Sequence, residues 1–277
     1  MAVGEYGITL DDARRDYRRF VNLRRLIKFI ALLLFCIFAV WMVWYLNIPL
    51  ERLSGMFGRI GTMVFNRMMP PDFDYALTEN VFNSILETIE MSFLGTVYGV
   101  LLAVPVAWFG AWNVTPSRTI CYPLGRAILV LSRAIPPIIW AMILVVILGF
   151  GPMAGTITLV LLTLSFAGKL MSEQVEAIDM GPVEAIRATG AGEIKTFVYA
   201  VLPQVKAAWI GIIIYNWDST FRASTILGFV GAGGLGLYIR STTQLLDYER
   251  TMGIILVVIV LVIASEILSH FARRRIR

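Results

Sequence analysis

Gly181 to Pro203, GPVEAIRATGAGEIKTFVYAVLP, is a mostly polar segment with charges, set between long apolar runs on both sides. Pro182 suits a first helical position, Glu184 follows where the helix dipole favours an anion, and Gly190 can supply the left-handed residue that ends a short helix. A second helical stretch from Glu193 to Val201 meets Pro203, which marks entry into the next apolar segment. Glu184, Ala185, Ala188 and Gly190 leave one helix face small, so another surface can approach it closely. A helical hairpin of this kind can face a soluble partner. Taken singly, each of these residues would also suit an ordinary loop between two membrane helices.

Outward from this segment the chain is strongly apolar. Its 277 residues are 58% hydrophobic with a mean hydropathy of +0.75, far above a soluble domain. It reads as an all-α, polytopic membrane protein whose first partner is lipid. The net charge of +5 does not point to nucleic acid, because the basic residues cluster beside apolar runs and form no single groove-lining patch. Cys36, Cys121 and the single His270 have neither a disulfide framework nor metal-ligand spacing, so no metal site is expected. The Arg-rich start (Arg14, Arg15, Arg18, Arg19, Arg24, Arg25, Lys28) leads into an apolar run without a small-residue cleavage site. That run is expected to be retained as a span.

Residues 1–28 form an N-terminal segment, 29–271 a single transmembrane domain with a polar loop at 178–203, and 272–277 a basic tail. Phe29 to Leu50 is uncharged and long enough to cross an apolar layer of about 30 Å at about 1.5 Å per residue. Glu51 to Glu79 mixes Arg52, Arg59 and Arg67 with Met56, Phe57, Met63 and Phe65, as expected of an amphipathic stretch at the outer interface. A second span lies within Val81 to Trp112, with a bend near Pro105. Ala134 to Gly168 is uncharged for 35 residues, too long for one span, and Gly149-Phe-Gly-Pro-Met-Ala-Gly155 breaks it. Two spans follow, Leu124 to Leu148 and Thr156 to Ala177. The fifth runs from Pro203 to about Leu227 and the sixth from about Tyr248 to His270.

Six spans put both termini on one side. With that side cytoplasmic, 18 of the 24 Lys and Arg fall on or near the cytoplasm, including Arg118, Arg126, Arg133, Lys169, Arg187, Lys195, Lys206 and the C-terminal arginines. The asymmetry supports both termini, and the Glu184 loop, on the cytoplasmic side.

Gly231-Ala-Gly233-Gly234-Leu-Gly236 matches G-x-G-x-x-G, yet no βαβ context surrounds it, and a dinucleotide role is rejected. Its glycines instead let the chain turn back, or dip into the membrane where protein covers the backbone. No G-x-x-x-x-G-K-[ST] string is present, so if ATP drives this protein the nucleotide site is on another chain. Asp218 and Arg222 sit four residues apart and share a helix face. A charge at the bilayer centre costs about 2.5–3.5 kcal/mol on insertion scales, so such groups face protein or a wet path. Either the two form a structural ion pair, or Arg222 faces an anion pathway while Asp218 limits how tightly an anion is held. Arg133 precedes Ile135-Pro136-Pro137, where a bend frees carbonyls to meet a polar group; snorkelling to the cytoplasmic surface is the alternative. Lys169 reads as a snorkelling anchor, and Trp41, Trp44, Tyr45, Trp108, Trp112 and Trp209 as interfacial aromatics.

Glu184-Ala185, then Gly190, then Leu202-Pro203 resembles the cytoplasmic coupling loop of importer-type ABC permeases. Further strings are similar to the permease of phosphonate ABC importers: Leu131-Ser-Arg-Ala-Ile-Pro-Pro-Ile-Ile-Trp140, Gly149 to Gly155, Gly181 to Ala191, Leu202-Pro-Gln204, and Arg222-Ala-Ser-Thr-Ile-Leu-Gly-Phe-Val-Gly-Ala-Gly-Gly-Leu-Gly236. The resemblance covers roughly Ala127 to Gly236 well and the N-terminal third poorly. It implies a type I ABC importer permease fold in the cell inner membrane. A cytoplasmic ATP-binding subunit pair would bind the loop at Glu184, Ala185, Arg187, Ala188 and Gly190, with ATP and Mg held on that partner and no cofactor on this chain. A second permease subunit, here expected to be a copy of this chain, would complete a pathway in which Arg133, Asp218 and Arg222 meet cargo, and an external solute-binding protein would deliver a small phosphorus oxyanion such as phosphonate or phosphite. Methionine and quaternary-amine importers share parts of the pattern. A passive anion channel is the reading from another class, and a lone His270 at a span end gives little support to an enzyme.

Overall fold

The computed structural model describes residues 10–46 and 55–274 of the chain. It is entirely helical among those residues and divides into two units, residues 1–62 and 63–277.

In the first unit one helix, α1 (Leu10–Tyr45), runs without a break. No glycine or proline interrupts that sequence, so nothing ends the helix at the membrane boundary. The stretch apolar enough to cross a membrane is Leu23–Tyr45, which begins earlier than the expected Phe29 and takes in Arg24, Arg25 and Lys28. Long basic side chains tolerate this because their heads can reach back to the interface. Asn47 to Leu50, the expected end of this span, and Glu51 to Ser54 lie outside the described residues. Helix α2 (Met56–Arg67) crosses the boundary between the units and buries none of its residues.

The second unit is a helical bundle. After the short α3 (Phe73–Ala76), α4 (Glu79–Phe109) continues through Pro105 and stops at Gly110. It packs most extensively on α7 (Pro152–Glu176). Their close approach depends on glycine: a Cβ at Gly95 would lie 2.5 Å from Leu159 Cβ, and one at Gly99 2.3 Å from Thr163 Cβ. Small residues of this kind let membrane helices gain dispersion contacts where water cannot drive association.

The expected third span is not one straight helix. It consists of α5 (Cys121–Ala134) and α6 (Pro137–Leu148), bent by 88° between them. Consecutive prolines force the residue before each into an extended conformation, and Ile135 (φ −99°, ψ 122°) and Pro136 (ψ 142°) both adopt it. The break at Gly149 to Gly155 occurs as expected, with Gly149 and Gly151 at φ +90° and +139°.

The polar loop contains α8 (Met180–Ala188) and α9 (Glu193–Thr196). The fifth span does not begin at Pro203, because helix continues from Glu193 through a π-helical turn, Phe197–Val201, into α10 (Leu202–Leu227). Proline lacks an N–H and crowds the carbonyl four residues earlier, which would break a regular helix. The wider turn removes that conflict: the Leu202 N–H donates to the Phe197 carbonyl, five residues back. A 3-10 turn (Gly228–Val230) ends the stretch. An unexpected helix, α11 (Leu235–Gln244), precedes α12 (Tyr248–Arg274), which begins where the sixth span was expected. Arg275 to Arg277 lie outside the described residues. Among the described residues, five helices are long and apolar enough to cross a membrane, or six when α5 and α6 count as one bent span.

The largest buried cluster joins Ala103 and Ala107 of α4, Met171 and Val175 of α7, Val183 of α8, and Val201, Val205 and Trp209 at the start of the fifth span. Trp209 is therefore a core residue and not an interfacial aromatic; its indole N–H donates to the Met171 carbonyl at 3.3 Å.

Candidate functional site

Helix α8 starts two residues before the expected Pro182. Asp179 is its N-cap, its Oδ1 accepting the Gly181 N–H at 3.0 Å, which leaves Pro182 within the first turn. Met180, Val183 and Ile186 turn inward on the cluster around Met171 and Val175, with Val183 fully buried. Gly181, Glu184, Ala185 and Ala188 are exposed on the opposite side. The small face read from the sequence is thus present and faces outward. Gly190 ends the helix at φ +80°, its N–H donating to the Arg187 carbonyl at 3.0 Å. Arg187 lies partly inward and pairs with Glu193 at 2.9 Å, an ion pair that spans the Gly190 turn.

Gln204, three residues after the π-helical turn, enters the sequence analysis only as the end of the Leu202-Pro-Gln204 string, with no role of its own. Its side-chain amide bonds both backbone groups of Asp179: Oε1 accepts the Asp179 N–H at 3.1 Å and Nε2 donates to the Asp179 carbonyl at 3.2 Å. The same Nε2 donates to the Ala200 carbonyl at 2.8 Å. At this end of the bundle Glu176 pairs with Arg126 and accepts the Trp112 N–H at 3.0 Å, while Asn113 donates to the Val175 carbonyl at 2.8 Å. Lys169, expected as an anchor, pairs with Glu173 at 2.9 Å.

Within the bundle Asp218 and Arg222 do pair, at 2.7 Å. The Asp218 side chain is 6% exposed and also accepts from Ser265 Oγ of α12 at 3.2 Å, whereas the Arg222 side chain is 43% exposed. Two opposed charges with one hydrogen-bonded third group make burial of the carboxylate tolerable. Arg133 is not brought to them: it is exposed at the end of α5 and lines a small cavity of about 100 Å³ with Pro137, Trp140, Leu162, Ser165 and Phe166. The Ser132 carbonyl beside the bend accepts from the Trp140 indole at 3.4 Å.

The glycine-rich turn is buried and covered by protein. Gly231, Gly233 and Gly234 have φ of +92°, +87° and +72°. The Gly151 N–H donates to the Gly231 carbonyl at 3.1 Å, and the Leu235 N–H to Thr88 Oγ1 at 3.0 Å. Close backbone approach explains the string without any nucleotide.

Residues 99–277 match the family model described as the binding-protein-dependent transport system inner membrane component. Over 228 residues the chain is 39% identical to the phosphate-import permease protein PhnE of Mycolicibacterium smegmatis, covering 82% of this chain but only 42% of that protein. It is 32% identical to the putative phosphite transport system permease protein HtxC of Stutzerimonas stutzeri, over 83% of this chain and 80% of that one. Identity to the phosphite transport system permease protein PtxC of the same organism is 34%, over 76% and 75%. Among solved structures, an inward-facing MetNI methionine ABC transporter chain aligns with a TM-score of 0.62 at 22% identity, covering 71% of this chain and 96% of that chain. A likeness of that kind shows the fold. Fold, family model and relatives agree, and the chain belongs to the family of binding-protein-dependent transport system inner membrane components, the non-catalytic permease subunits of ABC importers.

Proposed function

We propose that this chain is the membrane-spanning half of an importer for a small phosphorus oxyanion, phosphonate or phosphite, driven by ATP hydrolysed on a separate cytoplasmic subunit pair. The observation that carries the reading is the outward, small-residue face of α8, Glu184, Ala185 and Ala188, on a helix pinned at both ends to the base of the fifth span. ATP and Mg belong to the partner. A second copy of this chain completes the pathway, and an external binding protein supplies cargo. Both termini and α8 are cytoplasmic in this reading, in keeping with the Lys and Arg asymmetry.

Closure of the ATPase pair moves α8, and the movement passes through Gln204 and the Arg187–Glu193 pair into the fifth span. The cavity opens outward to receive cargo, and hydrolysis resets it inward. Relatives named for phosphite transport, at 32% and 34% identity, support the cargo class. Arg222 and Arg133 are suitable company for an anion that must pass and not be held tightly. A methionine cargo is the second reading, favoured by this chain's 24% identity to the probable D-methionine transport system permease protein MetI of Pasteurella multocida.

The test is uptake into proteoliposomes carrying the complex, with the external binding protein outside and ATP at the ATPase. ATP-dependent uptake of phosphite or methylphosphonate, lost in Glu184→Lys while the chain still inserts, is expected. Uptake of methionine alone would overturn the cargo, and flux without ATP would overturn the coupling.

A further inference from the structure

A cavity of about 600 Å³ that plays no part above opens beside the glycine-rich turn. Its position is the end of the helical stretch Glu193–Val230 opposite α8, which is the external end in the orientation proposed above. Its walls are apolar: Met142, Val145, Val146 and Phe150 on one side, Phe229 and Val230 on the other. The polar groups are confined to α11, where Arg240, Thr243 and Gln244 share one face at spacings of three and four residues.

The guanidinium of Arg240 is anchored by one nitrogen. Its Nη1 donates to the Phe229 carbonyl at 3.0 Å, at the C-terminal end of the fifth span's helix, where a cation complements the helix dipole. Five donors are available on a guanidinium, so the remaining N–H groups can still meet an anion. Thr243 Oγ1 donates to the Ile239 carbonyl at 2.6 Å, leaving its lone pairs outward. A single fixed charge between low-dielectric walls focuses its field and concentrates counter-ions at the cavity mouth.

The cavity is also in line with the charge deeper in the bundle. Arg222 and Ile226 share one exposed face of α10, and Phe229, in the 3-10 turn that follows, is exposed as well. Seven residues at 1.5 Å each put Arg222 roughly 10 Å below the carbonyl that holds Arg240. Arg240 of α11 thus meets the outer end of this stretch through the Phe229 carbonyl, with Arg222 of α10 about two turns inward along the chain.

We infer that Arg240, with Gln244, forms an outer receiving site for the oxyanion head of the cargo, the first of two cationic stations along this stretch, with Arg222 the second. The inference rests on the oxyanion reading of the transporter. Arg240 is held where it can attract the anion, and its anchoring to Phe229 keeps the guanidinium from folding over the site.

The experiment is phosphite uptake by the reconstituted complex in three variants. Arg240→Gln keeps a donor for the Phe229 carbonyl but removes the charge, and uptake at subsaturating cargo is expected to fall about tenfold, the size expected for losing a charge-assisted hydrogen bond. Arg240→Lys keeps the charge and should retain most uptake. Gln244→Glu adds a negative charge to the cavity without touching the Phe229 bond, and should reduce uptake with the complex intact by copurification of its ATPase. Normal uptake in Arg240→Gln, equal loss in Arg240→Gln and Arg240→Lys, or normal uptake in Gln244→Glu would each overturn the receiving site. Wild-type complex that takes up methionine and not phosphite would instead overturn the cargo reading itself.

Discussion

Gln204 holds Asp179 by both of its backbone polar groups, at 3.1 and 3.2 Å across 25 residues of sequence. The residue that caps α8 is thereby fastened to the first turn of α10. Gln204→Ala removes this attachment and the bond to Ala200. With net values of about 0.5–1.5 kcal/mol per hydrogen bond, the folded chain should lose on the order of 1–2 kcal/mol. Uptake per ATP hydrolysed should fall severalfold while the ATPase partner still copurifies. Unchanged uptake per ATP would show that Gln204 serves packing alone.

Gly190 supplies φ +80°, and nothing lies within 4 Å of where its Cβ would be. Substitution there is limited by backbone conformation and not by space. Gly190→Ala should cost about 1 kcal/mol from the left-handed conformation. Gly190→Pro should do more harm, since it cannot adopt that φ and also loses the N–H bonded to the Arg187 carbonyl. ATPase activity without matching uptake is the expected phenotype of Gly190→Pro, read by measuring both in one preparation.

Asp218 is buried and Arg222 half-exposed, so the two halves of the pair are unequal. Arg222→Ala leaves a buried carboxylate whose one remaining hydrogen-bond donor among the described residues is Ser265, and should destabilise the chain by about 1–3 kcal/mol. Asp218→Asn combined with Arg222→Ala should recover most of that loss in thermal unfolding. Anion uptake should not recover with it, because the cation is still missing. Recovery of both would make Arg222 a structural residue only.

The close approaches of α7 to the glycine-rich turn and of α11 to the end of α10 leave no room for side chains. A Cβ at Gly155 would lie 2.3 Å from the Ala232 carbonyl oxygen, and one at Gly236 would lie 2.1 Å from that of Thr225. Backbone cannot give as a side-chain tip can. Gly155→Val and Gly236→Val should therefore lose about 1–3 kcal/mol or more, seen as reduced yield of folded chain in detergent. Gly58→Val, with nothing within 4 Å, is the control that should not.

Local chemistry was legible in the sequence wherever one residue type answers one backbone need. Gly190 as a left-handed stop, the Gly149–Gly155 break and the i,i+4 pairing of Asp218 with Arg222 all required only neighbouring residues. The outward face of Glu184, Ala185 and Ala188 followed from helical spacing in the same way. What escaped reading depends on distant groups or on competing effects. Pro203 reads as a boundary, yet a π-helical turn absorbs it and the helix continues. The paired prolines signal a bend, but spacing carries no measure of an 88° turn. Gln204 is an unremarkable polar residue until folding sets Asp179 beside it, and Arg187 reads as a partner-facing charge until Glu193 meets it across the turn. Trp209 looks like a belt aromatic because its indole partner, the Met171 carbonyl, is 38 residues away in sequence.

The most direct measurement is ATPase activity of the complex in lipid, with copurified subunits and the external binding protein, as candidate ligands are added one at a time. Stimulation by phosphite or methylphosphonate but not by methionine or betaine is expected, and in Glu184→Lys the activity should no longer respond to ligand. Stimulation by methionine or betaine alone would contradict the cargo, and absence of any associated ATPase would contradict the importer.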